Sequence, residues 1–315
     1  MNLGKNIPEW DRFSVGQPSD SAKWTNPDCC LLDSISHVSH IEHGWSIIES
    51  GGIQAGLISD KSKLNRERIL VAWLSPNIWQ PGSRYGNVRF RFDWKELIEN
   101  RQAYWVESIA YGVDACRILL TDVDHTPLVT PYDPTIGDGP WWHDKDNDKH
   151  YWNSEYCLEI MIEGDIQLSQ ATGIFFEKHH EEYCCISPGN CIDQGVRPHV
   201  GGASFLAGLV GRSIRLPRRL LTNPELDDRP YSDAQDAAQQ LHHLLRECGK
   251  GASGGKLSQD ASSAIARAIF FSLSRRNLEE AASLSKLFPS QAVMLEECKN
   301  LFYAHFGWDM EQRMV

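Results

Sequence analysis

Residues 37–53 read "HVSHIEHGWSIIESGGI". His37, His40 and His43 come first, then an apolar pair, Ile47 and Ile48, and the run closes on Gly51–Gly52. Glycine enters the left-handed backbone region without a Cβ penalty, so the pair reads as the C-cap of a short helix. Just before it, "LLDSISHVSH" (31–40) reads as a strand. His37 then falls near the end of that strand, where an imidazole reaches a cleft beside the helix.

Further along, "NVRFRFDW" (87–94) alternates Val88, Phe90 and Phe92 with Arg89, Arg91 and Asp93. A strand with one wet face alternates in this way. "RILVAWLS" (68–75), "CRILLTDV" (116–123), "LEIMIEGD" (158–165) and "ATGIFFE" (171–177) are further strands. Residues 131–150, "PYDPTIGDGPWWHDKDNDKH", read as a long polar loop, a class of segment that is often functional.

The pattern changes after about residue 225. "YSDAQDAAQQLHHLLREC" (231–248) places Ala237, Leu241, Leu244 and Leu245 at helical spacing, with Ser232 or Asp233 as its N-cap. After the break "GKGASGG" (249–255), "SQDASSAIARAIFFSLSRR" and "NLEEAASLSKLF" read as further helices. The expected organisation is an N-terminal arm over 1–29, an α+β domain over 30–225, and an appended all-α domain over 228–315.

Composition bounds the class. The chain has 315 residues, of which 41% are hydrophobic and 23% charged, enough to bury a core. No apolar run approaches a membrane span, and "MNLGKNIPEWDRF" lacks the apolar core of a signal peptide. Nine cysteines, an odd number with two adjacent pairs, do not form a disulfide framework. These features point to a reduced, cytoplasmic protein with no membrane partner. The net charge of −11 argues against a passive nucleic-acid coat, although Arg197, Arg212, Arg215, Arg218 and Arg219 could make a local basic groove.

The opening segment resembles the "His-Ile-Thr-His-x-x-Asn-Leu-x-x-Ile-Leu-x-x-Gly" segment of the DarT-type ADP-ribosyltransferase toxins. The match rests on His37, Ser39, His40, Ile47, Ile48 and Gly51. The family's asparagine is replaced here by His43. A second piece, "CLEIMIEGDIQLSQATGIFF" (157–176), resembles the family's late strand, with Glu159 in the glutamate position and Ile160, Met161 and Ile162 after it. "VAWLSPNIW" (71–79) is a looser match to the family's aromatic strand.

The resemblance covers roughly residues 30–180 and implies an ADP-ribosyltransferase-like split β-sheet core. It implies NAD+ as co-substrate, no metal, and transfer of ADP-ribose to a nucleic-acid base in DNA or RNA. Glu159 is the implied catalytic carboxylate. His37 and Ser39 are implied to hold the nicotinamide ribose, with His40 also cofactor-binding and shaping the loop behind them together with His43, and Arg66 or Arg68 fills the place of the family's arginine. Trp73, Trp79 and Tyr85 could stack on nicotinamide or the acceptor, though core packing is the commoner use of an aromatic. The implied setting is a toxin–antitoxin or phage-defence system, such as the RNA-modifying toxins active against phage, with an antitoxin protein as partner.

The chemistry suits these residues. Cleaving nicotinamide from ribose passes through an oxocarbenium-like cation, which a carboxylate stabilises. Arginine-modifying relatives carry Glu or Gln two positions before the catalytic glutamate, where this chain has Cys157. Glu155 is four residues from Glu159, about 13 Å along a strand and too far for a close pair. A base or another protein side chain is therefore a better acceptor than arginine.

Other chemistries leave weaker marks. His179, His180, Cys184, Cys185 and Cys191 lack the paired spacing of a zinc site. Asp144, Asp146, Asp148 and Glu155 sit at calcium-loop positions, but Lys149 replaces the turn glycine. Cys116 and Cys157 have no nucleophile elbow, and no phosphate-binding glycine motif follows a strand. A non-catalytic binding module with a degenerate NAD pocket is the alternative outside enzymology.

Overall fold

A computed structural model describes residues 29–58, 62–77, 85–86, 88–110, 114–136, 139–154 and 157–176. In the C-terminal part it describes 205, 208–209, 211–212, 214–215, 220, 264, 267–269, 271–272, 277–286, 296 and 300. These residues form an α+β protein dominated by strands. They fall into two compact units: one within Met1–His37, Gly51–Ile78 and Arg91–Thr172, the other within Val38–Ser50, Trp79–Phe90 and Gly173–Val315.

The first unit is built on a five-stranded sheet in the order β4-β11-β7-β6-β8, from β4 (Val71–Leu74), β6 (Gln102–Ala110), β7 (Asp114–Thr121), β8 (Thr130–Pro131) and β11 (Cys157–Glu163). β11 runs parallel to β7 and antiparallel to β4. The parallel step needs a long crossover. That crossover carries β9 (Trp141–Asp144) and β10 (Lys149–Asn153), which pair with β1 (Cys29–Leu31) in a three-stranded antiparallel sheet.

The second half of the polar loop expected over 131–150 is therefore a hairpin. Its turn residues mask two aromatic strand pairs, with Tyr151 opposite Trp142 and Trp152 opposite Trp141. Asp144 caps the turn, accepting from Asp146 and Asn147 backbone N–H groups. Trp141, Trp94 and His150 then pack as a second core beside the sheet. Trp94 lies edge-on to Trp141 at 5.0 Å between ring centroids.

One face of the five-stranded sheet buries Val71, Tyr104, Val106, Leu119 and Met161 against Leu64 of α2 (Lys63–Arg66). Ser62 caps this helix by accepting from Leu64 N–H at 3.3 Å. α3 (Trp94–Ile98) is capped by Asp93, which accepts from Glu96 N–H at 3.1 Å. β3 (Gly52–Ile53) pairs with β12 (Ile166–Gln167). β2 (Ser34–Ser39), β5 (Val88–Asp93) and β13 (Ala171–Phe176) make a sheet in the order β13-β5-β2, each strand holding residues of both units.

In the second unit, α1 (Ile41–Ser50) begins where the His40 carbonyl accepts from Gly44 N–H at 2.8 Å. It ends at Gly51, whose φ of +80° is the left-handed cap the glycine pair predicts. Trp45 of α1 donates from Nε1 to the Phe205 carbonyl at 2.8 Å and packs against Phe271. Of the expected C-terminal helices, the described residues include α4 (Leu278–Ser285), capped by Asn277, and helical backbone at 264, 267–269 and 271–272.

Candidate functional site

Glu159 lies at one end of a charged ladder that spans three strands. In register, Glu159 of β11 pairs with Arg117 of β7, and Arg117 pairs with Glu107 of β6. Arg117 donates from Nε to Glu159 Oε2 at 2.7 Å and from Nη1 to Glu107 Oε1 at 3.0 Å. All three are buried, and the Arg117 side chain is only 1% exposed. Its guanidinium also lies over the Trp73 ring, 4.9 Å from the centroid, a cation–π contact.

A β-bulge makes this ladder possible. The β6–β7 register shifts between Trp105 and Glu107, leaving Val106 as the extra residue. A bulge frees a backbone group from the ladder, and here Lys63 Nζ donates to the Val106 carbonyl at 2.8 Å. Lys63 N–H also reaches Glu107 Oε2 at 3.4 Å. The short helix α2 thus holds both the bulge and one end of the charged group.

His37 joins from β2. Ser36 and Ser75 exchange both backbone hydrogen bonds, at 3.0 and 2.8 Å. His37 Nδ1 then donates to the Trp73 carbonyl at 2.8 Å. Because β4 pairs with β11, this bridge brings His37 to the strand next to that of Glu159. The loop after β4 is tied to β11 as well. Ser75 Oγ donates to the Leu158 carbonyl at 2.7 Å, and Leu158 N–H donates to Asn77 Oδ1 at 2.9 Å.

The other expected residues are spread. Ser39 and His40 belong to the second unit. Ser39 is buried, and its hydroxyl has no hydrogen-bond partner among the described residues. His40 is buried and edge-on to His43. Tyr85 is on the surface of the same unit. Trp73 does have an aromatic contact role, but toward Arg117. Trp79, Glu155, Arg197, Arg218, Arg219 and the cysteine–histidine group of 179–191 lie outside the described residues. Arg212 pairs with Glu49 at 2.7 Å.

Arg66 and Arg68 are both exposed on or just after α2. Arg68, with φ +56°, lines an open cleft of about 750 Å³ at the far end of β11. There His125 Nε2 donates to Glu163 Oε2 at 2.7 Å, and Thr121 Oγ1 donates to the same oxygen. Asp124, beside it, is held below the usual carboxylate range by hydrogen bonds from Thr126.

His143, Asp148 and His150 gather ligand-type atoms within 4.8 Å of one another. Their arrangement does not suit a metal ion. The two imidazoles stack nearly parallel at 4.1 Å, so their lone pairs do not converge. Trp141 Nε1 donates to His150 Nδ1 at 3.1 Å, which places the neutral ring's proton on Nε2. Lys95 pairs with Asp148. Burial, and then His143, push the His150 pKa down to about 4.

Sequence reasoning missed Glu107 and Arg117. The signal was there: a lone acid in "AYWVESIA" (103–110) and a lone base in "CRILLTDV", each inside an apolar strand. Charges in such runs are seldom buried unless paired. Among the described residues, Cys30, Cys116 and Cys157 are not joined in disulfides. No helix among the described residues is long and apolar enough to cross a membrane. No family model, no curated protein and no solved structure matches the chain.

Proposed function

We propose that this chain is a mono-ADP-ribosyltransferase with a split-sheet core, transferring ADP-ribose from NAD+ to a nucleic-acid base. The observation that carries the reading is the strand adjacency β2–β4–β11. It puts His37 on a strand bridged to β4, the neighbour of the strand that carries Glu159, and these two residues, 122 positions apart in the chain, are the ones the two resembling motifs single out. In this reading His37 and Ser39, both on β2, hold the nicotinamide ribose. Glu159 faces the cation that forms at ribose C1 and takes up the acceptor's proton.

The acceptor is proposed as a base in RNA or DNA, with a protein side chain as the second class. An antitoxin protein and a cytoplasmic toxin–antitoxin or phage-defence setting belong to the same proposal.

One observation favours a second reading. Arg117 is fully buried and bonded to Glu159, as in a structural ion pair. That would suit a binding module with a degenerate nucleotide pocket. NAD+ turnover by wild type and Glu159→Gln, with labelled ADP-ribose and with DNA, RNA and cell lysate as acceptors, separates the two. The transferase reading expects label in one acceptor pool with wild type and loss of it in the variant. Equal or absent turnover in both proteins leaves the binding module.

A further inference from the structure

We infer that the cleft at the carboxyl end of β11 is a binding site of its own, for a small organic cation whose ammonium or guanidinium head meets His125 Nδ1 and the carboxylates around it. The inference does not draw on the NAD+ reading above. The cleft holds about 750 Å³, within the range of small-molecule pockets. Its described lining residues all belong to the first unit.

The site starts from two strand ends. β7 and β11 run parallel, so Thr121 and Glu163, the last residue of each, come out side by side. Thr121 Oγ1 accepts from Val123 N–H at 2.9 Å and donates to Glu163 Oε2. His125 Nε2 donates to the same oxygen at 2.7 Å. The Tyr104 ring lies edge-on to the imidazole, 6.2 Å between centroids. His125 is thus fixed from two sides. In the neutral ring Nε2 carries the hydrogen that Glu163 accepts, so Nδ1 presents its lone pair.

The open polar positions are nearly all acceptors. His125 Nδ1 has no partner among the described residues. Glu163 takes both of its side-chain bonds on Oε2 and leaves Oε1 open. Asp124 accepts from Thr126 and Tyr104 on Oδ1 and leaves Oδ2 open. The Glu67 carboxylate, also on the lining, meets no donor among the described residues. Against these stands one lining guanidinium, that of exposed Arg68. An ammonium or guanidinium group brings several N–H donors and no acceptor, which is the complement of this set. Leu70, 44% exposed, and Leu128 offer apolar surface for the stem that carries the head. A fixed neutral acceptor beside an exposed leucine distinguishes the cleft from a solvated acidic surface.

The test is a titration of the full chain followed by the Leu128 and Gly164 amide signals in NMR. The probes are butylguanidinium and butylammonium, with butanol and butyrate as the same aliphatic stem without the positive charge. Each is titrated into wild type, His125→Leu, Asp124→Asn and Arg68→Gln.

Both cations are expected to bind saturably and at least about tenfold more tightly than butanol or butyrate, the size of one charge-assisted hydrogen bond. His125→Leu and Asp124→Asn should each weaken the cations by roughly tenfold. Arg68→Gln should tighten them, because it removes the one opposing charge on the lining. Asp124 and Arg68 are exposed, so those two variants keep the test decisive even where His125→Leu does not fold. Shifts that do not saturate, equal affinities for all four probes, or equal affinities across the folded variants overturn the inference. None of the probes is a nucleotide, so either result leaves the NAD+ reading where it stands.

Discussion

Glu159 and Glu163 project from the same face of β11, four residues apart, and meet opposite surroundings. Glu159 is buried against a guanidinium, whereas Glu163 stands at an open cleft and accepts from His125 and Thr121. Between them Met161 belongs to the apolar core. One strand thus delivers a charged residue to each end of a dry middle, and the two ends should respond differently to mutation.

Arg117 is the first place to look. Replacing it by Ala strands two buried carboxylates and should cost about 3–5 kcal/mol. Replacing Glu107, Arg117 and Glu159 together by apolar residues of similar volume should cost much less, because no buried charge is left unpaired. Urea unfolding of the two proteins measures the difference. Equal losses would show that packing, rather than charge pairing, governs this position.

Lys63 should matter more than an exposed lysine does. Lys63→Met leaves the Val106 carbonyl without its ammonium donor. An unsatisfied buried carbonyl costs about 1–3 kcal/mol. A stability loss in that range, with Lys95→Met as the exposed comparison, is expected from the same unfolding assay.

His150 gives the protein an acid-side weakness. Its pKa is about 4 in the fold, with burial the main cause, and near 6.5 in an unfolded chain. The unfolded state therefore binds more protons between these values. The contribution of His150 is intact above about pH 6.5 and is lost progressively down to about pH 4. Unfolding free energies measured across that window should fall less steeply in His150→Gln than in wild type. Parallel slopes would place the acid sensitivity elsewhere.

Two glycines offer a paired control. Gly86 has φ +122°, and a Cβ there would collide with the Ser39 carbonyl and the His40 nitrogen. Gly164 has φ +85° with nothing within 4 Å of a new Cβ. Gly164→Ala should cost about 1–2 kcal/mol, the backbone strain alone. Gly86→Ala should cost about 3 kcal/mol or more, since strain and overlap add. Thermal unfolding of both variants checks the ranking.

Much of the fold is legible where one local rule dominates. β5 alternates because one face is buried, and its Val88, Phe90 and Phe92 are indeed inside. α1 stops at the glycine that the sequence marks. The hairpin of β9 and β10 is hidden because its four turn residues, Lys145–Asp148, outweigh the flanking aromatics in any reading by composition.

The candidate site divides along the same line. Glu159 and His37 stand out through local motifs, whereas Glu107 and Arg117 come together only through strand pairing. Arg117 and Glu159 are 42 positions apart and meet by a parallel pairing whose crossover has no periodic mark in the sequence. A bulge is a one-residue irregularity with no composition signature.

Val106 also carries a genetic consequence. The residue is one codon, and strand alternation makes register a matter of parity. Losing that codon in frame would make Trp105 opposite Ile118 and Glu107 opposite Arg117 adjacent rungs of a regular ladder, with no slide of either flank. Such a deletion would keep the charged rung and instead take away the freed carbonyl that the Lys63 ammonium meets.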